Sequence, residues 1–122
     1  MAAPASVEEY LAGLSPEVRE QVEAAWERVR AAVPDAEAVI AYGIPTLRVG
    51  GRSVVHLAGW KAHLSLYPVP EGPADLVAEC APYLSGQGTL KLPYAGGVPL
   101  DLVGRVAAAL AAGRDGSWQS TA

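Results

Sequence analysis

At 122 residues, with 51% apolar and 18% charged side chains, the chain has the composition of one globular domain, and its continuous apolar segments are too short to span a membrane. The single Cys80 excludes an internal disulfide, and the start of the sequence has no basic segment followed by an apolar block, which predicts no secretory signal and a cytoplasmic location. Residues 1–37 hold eight acidic and three basic residues, and no basic cluster follows them, so we expect no binding to nucleic acid.

Two helices are predicted in the first third of the chain. Val7–Leu14 forms a short helix, and a second one begins after Ser15, whose side chain is expected to cap the free amides while Pro16 takes the first helical position. Pro34 ends this helix. Apolar residues recur along it every three or four positions and define one buried stripe: Val18, Val22, Trp26, Val29 and Val33.

Strands follow the second helix. Apolar alternation and turn residues predict four of them, namely Val39–Tyr42, Pro45–Val49, Arg52–Ala58 and His63–Tyr67. Because short turns connect them, they should pair antiparallel as a meander. The remaining predicted elements are a helix over Ala74–Tyr83, a turn at Ser85–Gly88, a fifth strand over Thr89–Leu92 at a sheet edge, and a last helix from Pro99 to Gly113. We therefore predict one domain over residues 5–112, followed by a flexible tail over 113–122.

These elements predict an α+β fold, in which an antiparallel sheet of about five strands carries the N-terminal and C-terminal helices on one face. The residues expected on the covered face are Leu47, Val49, Val55, Leu57, Leu64, Leu66, Leu90 and Leu92. Their alternating neighbours are expected on the open face: Thr46, Arg48, His56, His63, Ser65, Tyr67, Thr89 and Lys91.

The two histidines lie on neighbouring predicted strands. A four-residue loop over 59–62 would pair Ala58 with His63 and place His56 two residues away on the same face, whereas a three-residue loop would separate them. We prefer the longer loop because it keeps the apolar residues on the covered side. Neighbouring imidazoles could bind a metal or transfer protons, but no third ligand is evident, and we prefer the interpretation that each histidine makes local hydrogen bonds on a half-exposed sheet.

Two further sets of side chains are candidate binding residues. A small-ligand or anion pocket on the sheet would use Tyr42, Lys61, His63, Tyr67 and Lys91, although a solvated sheet face has the same composition. On the second helix, Glu20, Glu23 and Glu27 lie within an arc of about 60 degrees. Carboxylates of this kind offer oxygen ligands for weakly held iron or another divalent cation, although solvated helices often carry such stripes.

Short motifs along the whole domain resemble those of the YdhG-like family, a bacterial domain of unknown function. They are Tyr42-Gly43-Ile44-Pro45, Lys61-Ala62-His63 continuing to Leu66-Tyr67-Pro68, Gly88 to Pro93, and Val98-Pro99-Leu100. The resemblance implies a frataxin-like α+β fold, and some members are described as intracellular iron chaperones for iron-sulfur cluster assembly. Gln87 departs from the family pattern, which has a lysine there, and Leu57 and Leu66 replace common aromatic residues.

Three functional hypotheses follow. The resemblance implies a non-enzymatic, frataxin-like chaperone that holds iron on Glu20, Glu23 and Glu27 and works with iron-sulfur assembly proteins. The alternatives are a small-molecule binding module on the sheet and a protein-interaction domain that forms a homodimer through the open face or an edge strand. No nucleophile and base can be paired from the sequence, so an enzyme is not expected.

Overall fold

The computed structural model describes residues 4–86 and 88–113; the predicted tail beyond Gly113 lies outside these residues. The elements, in chain order, are α1 (Val7–Ala12), α2 (Pro16–Ala32), β1 (Glu37–Ala41), β2 (Ile44–Val49), β3 (Arg52–Gly59), β4 (His63–Tyr67), α3 (Ala74–Cys80), a 3₁₀ turn (Ala81–Tyr83), β5 (Leu84–Ser85), β6 (Thr89–Pro93) and α4 (Leu100–Gly113). The predicted α+β class is confirmed. Within the described residues, no helix has the length and apolar character needed to cross a membrane.

The antiparallel sheet has six strands in the described part of the chain, in the order β1-β2-β3-β4-β6-β5. The strand missing from the prediction is the two-residue β5, whose Ser85 was assigned to a turn and instead pairs with Thr89. As a result β6 lies between β4 and β5 rather than at the edge. A two-residue strand has too few positions to show alternation, which explains why the sequence pattern does not reveal it.

The helix starts show one difference from the prediction. Ser15 is the N-cap residue of α2, with Pro16 as its first residue, but its side chain makes no capping hydrogen bond. Its carbonyl oxygen instead accepts a hydrogen bond from the Arg19 amide at 2.7 Å. The guanidinium of Arg19 in turn donates to the carbonyl oxygens of Leu11 and Ala12, at 3.0 and 2.9 Å, and thereby ties the end of α1 to α2.

The hydrophobic core lies between the helices and one face of the sheet. The residues predicted for this face are completely or almost completely buried, apart from Val49, which is half-buried and packs against the core. A β-bulge between Leu47 and Arg48 shifts the β2–β3 register before Val49, and both Val54 and Val55 are buried beside it. From α2 and α4 the core receives Val22, Ala25, Trp26, Val29, Val103, Val106 and Ala107.

The β3–β4 hairpin is tighter than predicted. Ala58 pairs with Ser65 rather than with His63, and the amide of Trp60 donates to the carbonyl oxygen of His63 at 2.8 Å. The prediction of a loop over 59–62 is therefore wrong. Gly59 is the last residue of β3 and packs against α2, where a β-carbon would lie only 2.9 Å from Cγ2 of Val22. The register changes by two residues, an even number, so the predicted faces are preserved.

Candidate functional site

The second face of the sheet, which we call the polar face, carries three rows of side chains that run across the strands. In the first row Thr46 pairs with His56, which pairs with Tyr67. In the second row Ala58 pairs with Ser65, which pairs with Lys91. The third row holds Trp60, His63 and Pro93. The first and third rows, which carry the aromatic side chains, are therefore separated by the second row, in which the small residues Ala58 and Ser65 are 1% and 4% exposed.

The first row forms an aromatic group with a tyrosine from the β1–β2 turn. The ring centroid of His56 lies 5.6 Å from that of Tyr67, with 25° between the ring planes, and 5.7 Å from that of Tyr42, with 58° between the planes. These separations are within the usual range for interacting rings. We call Tyr42, Thr46, His56 and Tyr67 the tyrosine–histidine cluster. Its members come from β2, β3, β4 and one turn.

Tyr42 has an unusual backbone conformation. It occupies the β1–β2 turn with Gly43, and the φ angles of the two residues are 56° and 78°. A two-residue hairpin turn with both central residues at positive φ is normally built from asparagine and glycine, because a bulky side chain is strained there by about 1 kcal/mol or more. Tyr42 is also 90% exposed. An exposed aromatic ring is thus held in a strained turn, a combination typical of functional sites.

His56 is anchored through Thr46. The Thr46 hydroxyl lies 2.8 Å from Nδ1 of His56 and donates a hydrogen bond to the carbonyl oxygen of Ile44 at 3.1 Å. Burial lowers the pKa of His56, so its neutral imidazole is favoured at neutral pH. Burial, with a smaller effect of Tyr10, raises the pKa of Tyr67 and keeps its phenol protonated. His56 and Tyr67 therefore carry no charge, and they offer apolar ring surfaces next to the imidazole nitrogens and the phenol hydroxyl.

The third row forms a separate aromatic pair. The rings of Trp60 and His63 are 6.4 Å apart with 30° between their planes, and Trp60 is 54% exposed. Burial lowers the pKa of His63, and the nearby charge of Lys91 lowers it further. His56 and His63 share the polar face as predicted, but the tighter hairpin moves them one side-chain position further apart than expected. Each histidine stacks on a different aromatic residue.

Lys61 belongs to neither aromatic group. It lies in the β3–β4 turn and lines an open groove of about 790 Å³ between this turn, the start of α2 and the segment after β6. Tyr94 shapes the groove: its hydroxyl donates to the carbonyl oxygen of Trp60 at 2.7 Å, and its amide donates to that of Ala62 at 3.1 Å. On the other side of the turn, the Tyr10 hydroxyl accepts a hydrogen bond from the Gly59 amide at 2.9 Å.

The five predicted ligand residues are thus distributed over three places. The structure brings together Tyr42 and Tyr67 at His56, and it places His63 and Lys91 in the neighbouring rows, with Lys61 in the groove. The candidate set omitted His56 and Thr46, which connect the two tyrosines. The sequence did indicate their location, since alternation assigns both residues to the same face as Tyr67. Their alignment, however, depends on the turn lengths of the β2–β3 and β3–β4 hairpins.

The acidic stripe lies on the exposed side of α2. Glu20, Glu23 and Glu27 are all exposed and line a shallow depression of about 420 Å³ together with Pro16, Arg19 and Ala24. Arg19 uses its guanidinium to hold the end of α1. Over residues 4–86 and 88–113, no group of three or more histidine, cysteine, aspartate or glutamate side chains has an arrangement that could hold a metal ion.

Comparison with solved structures finds the same architecture elsewhere. A crystal structure of the DUF1801 family protein YdhG from Bacillus subtilis superposes with a TM-score of 0.71, over 83% of this chain and 84% of that one, with 23% sequence identity. The fold is that of YdhG. Neither a protein-family model nor a curated protein matches the chain. The YdhG-like fold implied by the motifs from Tyr42 to Leu100 is confirmed, and at this level of identity the comparison concerns the fold alone.

Proposed function

We propose that this YdhG-like domain is a binding module for small planar molecules, which it holds on the polar face through the tyrosine–histidine cluster. The observation that carries the proposal is the presentation of Tyr42, 90% exposed and at a φ of 56°, beside the stacked rings of His56 and Tyr67. The strained backbone of Tyr42 costs free energy, and its ring remains 90% exposed despite the contact with His56, so a role in binding accounts for the position.

The chemistry of the cluster supports a planar, largely apolar ligand. Aromatic rings offer flat apolar surface with little entropy to lose, and stacking on one such ring contributes about 1–3 kcal/mol. Burial keeps His56 and Tyr67 neutral, so the cluster has no fixed charge with which to recognise a small ion.

The proposal is tested by NMR titration of the ¹⁵N-labelled protein with indole, quinoline and adenine, with cyclohexanol as a non-planar control. We expect saturable shifts confined to Tyr42, His56, Tyr67 and their strand neighbours with at least one planar probe. Tyr42→Ala should abolish them, while Trp60→Ala, which removes an exposed ring from the third row, serves as the matched control. Absence of saturable shifts with every planar probe would overturn the proposal.

A second candidate function is the weak binding of iron for delivery to iron-sulfur cluster assembly, as the resemblance to YdhG-like iron chaperones implies. Its support is the resemblance, together with the exposure of Glu20, Glu23 and Glu27 on one side of α2, where they line one depression but do not form a group that could hold a metal ion tightly. Exposed carboxylates bind divalent cations loosely, which suits a carrier that must release its metal to partner proteins. Iron is the cargo in this hypothesis.

Anaerobic titration with ferrous iron separates the two functions. The chaperone hypothesis predicts binding tighter than millimolar that is lost in a triple variant with Glu20, Glu23 and Glu27 replaced by glutamine. A matched control replaces Asp35, Glu37 and Asp75 by the corresponding amides, because none of these residues lines the depression. It leaves in place Glu8, Glu9 and Glu17, which the hypothesis includes as further candidate ligands. Equal loss in both variants would indicate attraction by net charge alone and would count against a site. Sedimentation during the same titration measures whether the chain forms a homodimer.

A further inference from the structure

The environment of Thr46 determines which atoms of His56 are available to a ligand. Thr46 is 0% exposed, so its hydroxyl must find its hydrogen-bond partners within the protein. The hydroxyl has one proton, which it donates to the carbonyl oxygen of Ile44 at 3.1 Å, a group that can only accept. Its oxygen then has lone pairs free toward Nδ1 of His56, 2.8 Å away. With the hydroxyl proton assigned to the Ile44 carbonyl, the proton of the shorter contact is assigned to Nδ1.

We infer that Thr46 holds His56 as the Nδ1-protonated tautomer, so that Nε2 presents a lone pair to the ligand, and that the ligand is a neutral planar ring with an N–H donor. The inference rests on the proposed function and names its ligand class. In histidine Nε2 lies at the far end of the ring from the backbone, and no described residue forms a hydrogen bond with it. The cluster therefore combines stacking surfaces with one fixed acceptor.

The charges around the cluster favour a neutral donor over a cationic one. On the polar face Arg48 lies two residues beyond Thr46 on β2, and Lys91 pairs with Ser65, which lies two residues before Tyr67. Glu37, the nearest acidic residue in register on this face, pairs with Arg48. A protonated amine would be repelled by these positive charges, of which Glu37 offsets that of Arg48, whereas a pyrrole-type N–H carries no net charge and can donate to Nε2.

Two isomeric probes test the inference directly. 3-Methylindole and 1-methylindole have the same size and apolar area, but only the first has an N–H. For the wild-type chain we expect 3-methylindole to bind roughly three- to tenfold more tightly, the range that one hydrogen bond contributes. In His56→Phe, which keeps an aromatic ring but removes the acceptor, the two isomers should bind equally.

The tautomer has its own spectroscopic readout. In long-range ¹H–¹⁵N spectra of the free protein, we expect Nε2 of His56 to show the shift of an unprotonated nitrogen and Nδ1 that of a protonated one. Thr46→Val should change this pattern and reduce the preference between the two isomers. If that variant does not fold, the wild-type spectrum and His56→Phe still decide the question.

The outcomes distinguish the two proposals. Equal affinity of the wild-type chain for both isomers, or a spectrum with the proton on Nε2, would overturn the assignment of His56 as acceptor and leave the planar-ligand function standing. Failure of both isomers and of the other planar probes would overturn the function itself. A preference that persists unchanged in His56→Phe would place the acceptor elsewhere and would also refute the inference.

Discussion

The imidazole of His56 faces the phenol ring of Tyr67 directly across the β3–β4 ladder, at 5.6 Å and within 25° of parallel. This pairing exists because β3 extends to Gly59 and the Trp60 amide bonds to the His63 carbonyl, so that the hairpin closes over Lys61 and Ala62. A longer loop would have placed Ser65 opposite His56 instead. Gly59, at the end of β3, packs against helix α2 at the other face of the sheet.

Replacing Tyr42 by asparagine should separate folding from binding. Asparagine tolerates positive φ, so Tyr42→Asn should leave the free energy of unfolding unchanged or raise it by about 1 kcal/mol. The same change removes a stacking ring and should weaken planar ligands by about tenfold or more. Urea unfolding and probe titration measure the two effects. A variant that is clearly less stable would show that the Tyr42 ring contributes to the fold and would remove the argument from strain.

Stability should depend on the protonation of His56. Its pKa in the folded chain lies below the usual 6.5 because of burial, so on acidification the unfolded chain takes up the proton first. The stability that the folded chain has while His56 is neutral is fully present above about pH 6.5, and it is lost as the pH falls toward the pKa of His56 in the folded chain. Unfolding free energies of His56→Phe should therefore fall less steeply between about pH 7 and 5 than those of the wild-type chain.

His63→Phe is the control for that measurement, because burial and Lys91 also lower the pKa of His63, which belongs to the other aromatic pair. It should retain the part of the pH dependence that His56 causes. An NMR titration of the wild-type chain gives both pKa values separately. A folded pKa of His56 above 6.5 would contradict the assignment of burial as the dominant effect.

Gly59→Ala tests how the tight hairpin is maintained. The added methyl group would lie 2.9 Å from Cγ2 of Val22 and 3.4 Å from Cδ1 of Leu14, so we expect a loss of about 1–3 kcal/mol in the free energy of unfolding. Gly88→Ala is the matched control, since a β-carbon there meets nothing within 4 Å. Because His56 and Tyr67 depend on this hairpin register, Gly59→Ala should also weaken planar ligands. Equal stability of the two variants would show that Val22 can move aside.

Tyr94→Phe should have opposite effects at neutral and alkaline pH. At neutral pH the loss of the hydrogen bond to the Trp60 carbonyl should cost about 1 kcal/mol. Burial raises the pKa of Tyr94 to about 12, so in the wild-type chain the unfolded state loses the proton first as the pH rises above 10.0, and stability falls. Tyr94→Phe has no phenol to ionise at this position, so its stability should not fall for this reason at alkaline pH. Unfolding curves that remain parallel from neutral to alkaline pH would contradict the expectation.

Much of the candidate site could be predicted from local patterns. Alternation places Thr46, His56 and Tyr67 on one face, because the side-chain period of a strand is two and a register change of two residues preserves it. The register of the β3–β4 hairpin was predicted incorrectly, because its turn is shorter than expected; Gly59 at the end of β3 packs against Val22, which lies 37 residues away in sequence. The contact between His56 and Tyr67 follows from this register, whereas the anchoring of His56 by Thr46 follows from the register of the β2–β3 hairpin.

The amino-acid sequence by itself determined the α+β class, the helical stripes, the order of the main strands and the division of the sheet into an apolar and a polar face. Periodicity controls these features, and periodicity is a local property. Only the tertiary structure decided that Tyr42 and Tyr67 meet at His56, while Lys61 lies in a separate groove and His63 stacks on Trp60. The reason is that packing between segments distant in sequence determines which residues become neighbours across the strands, and the local pattern of residue types does not specify that packing.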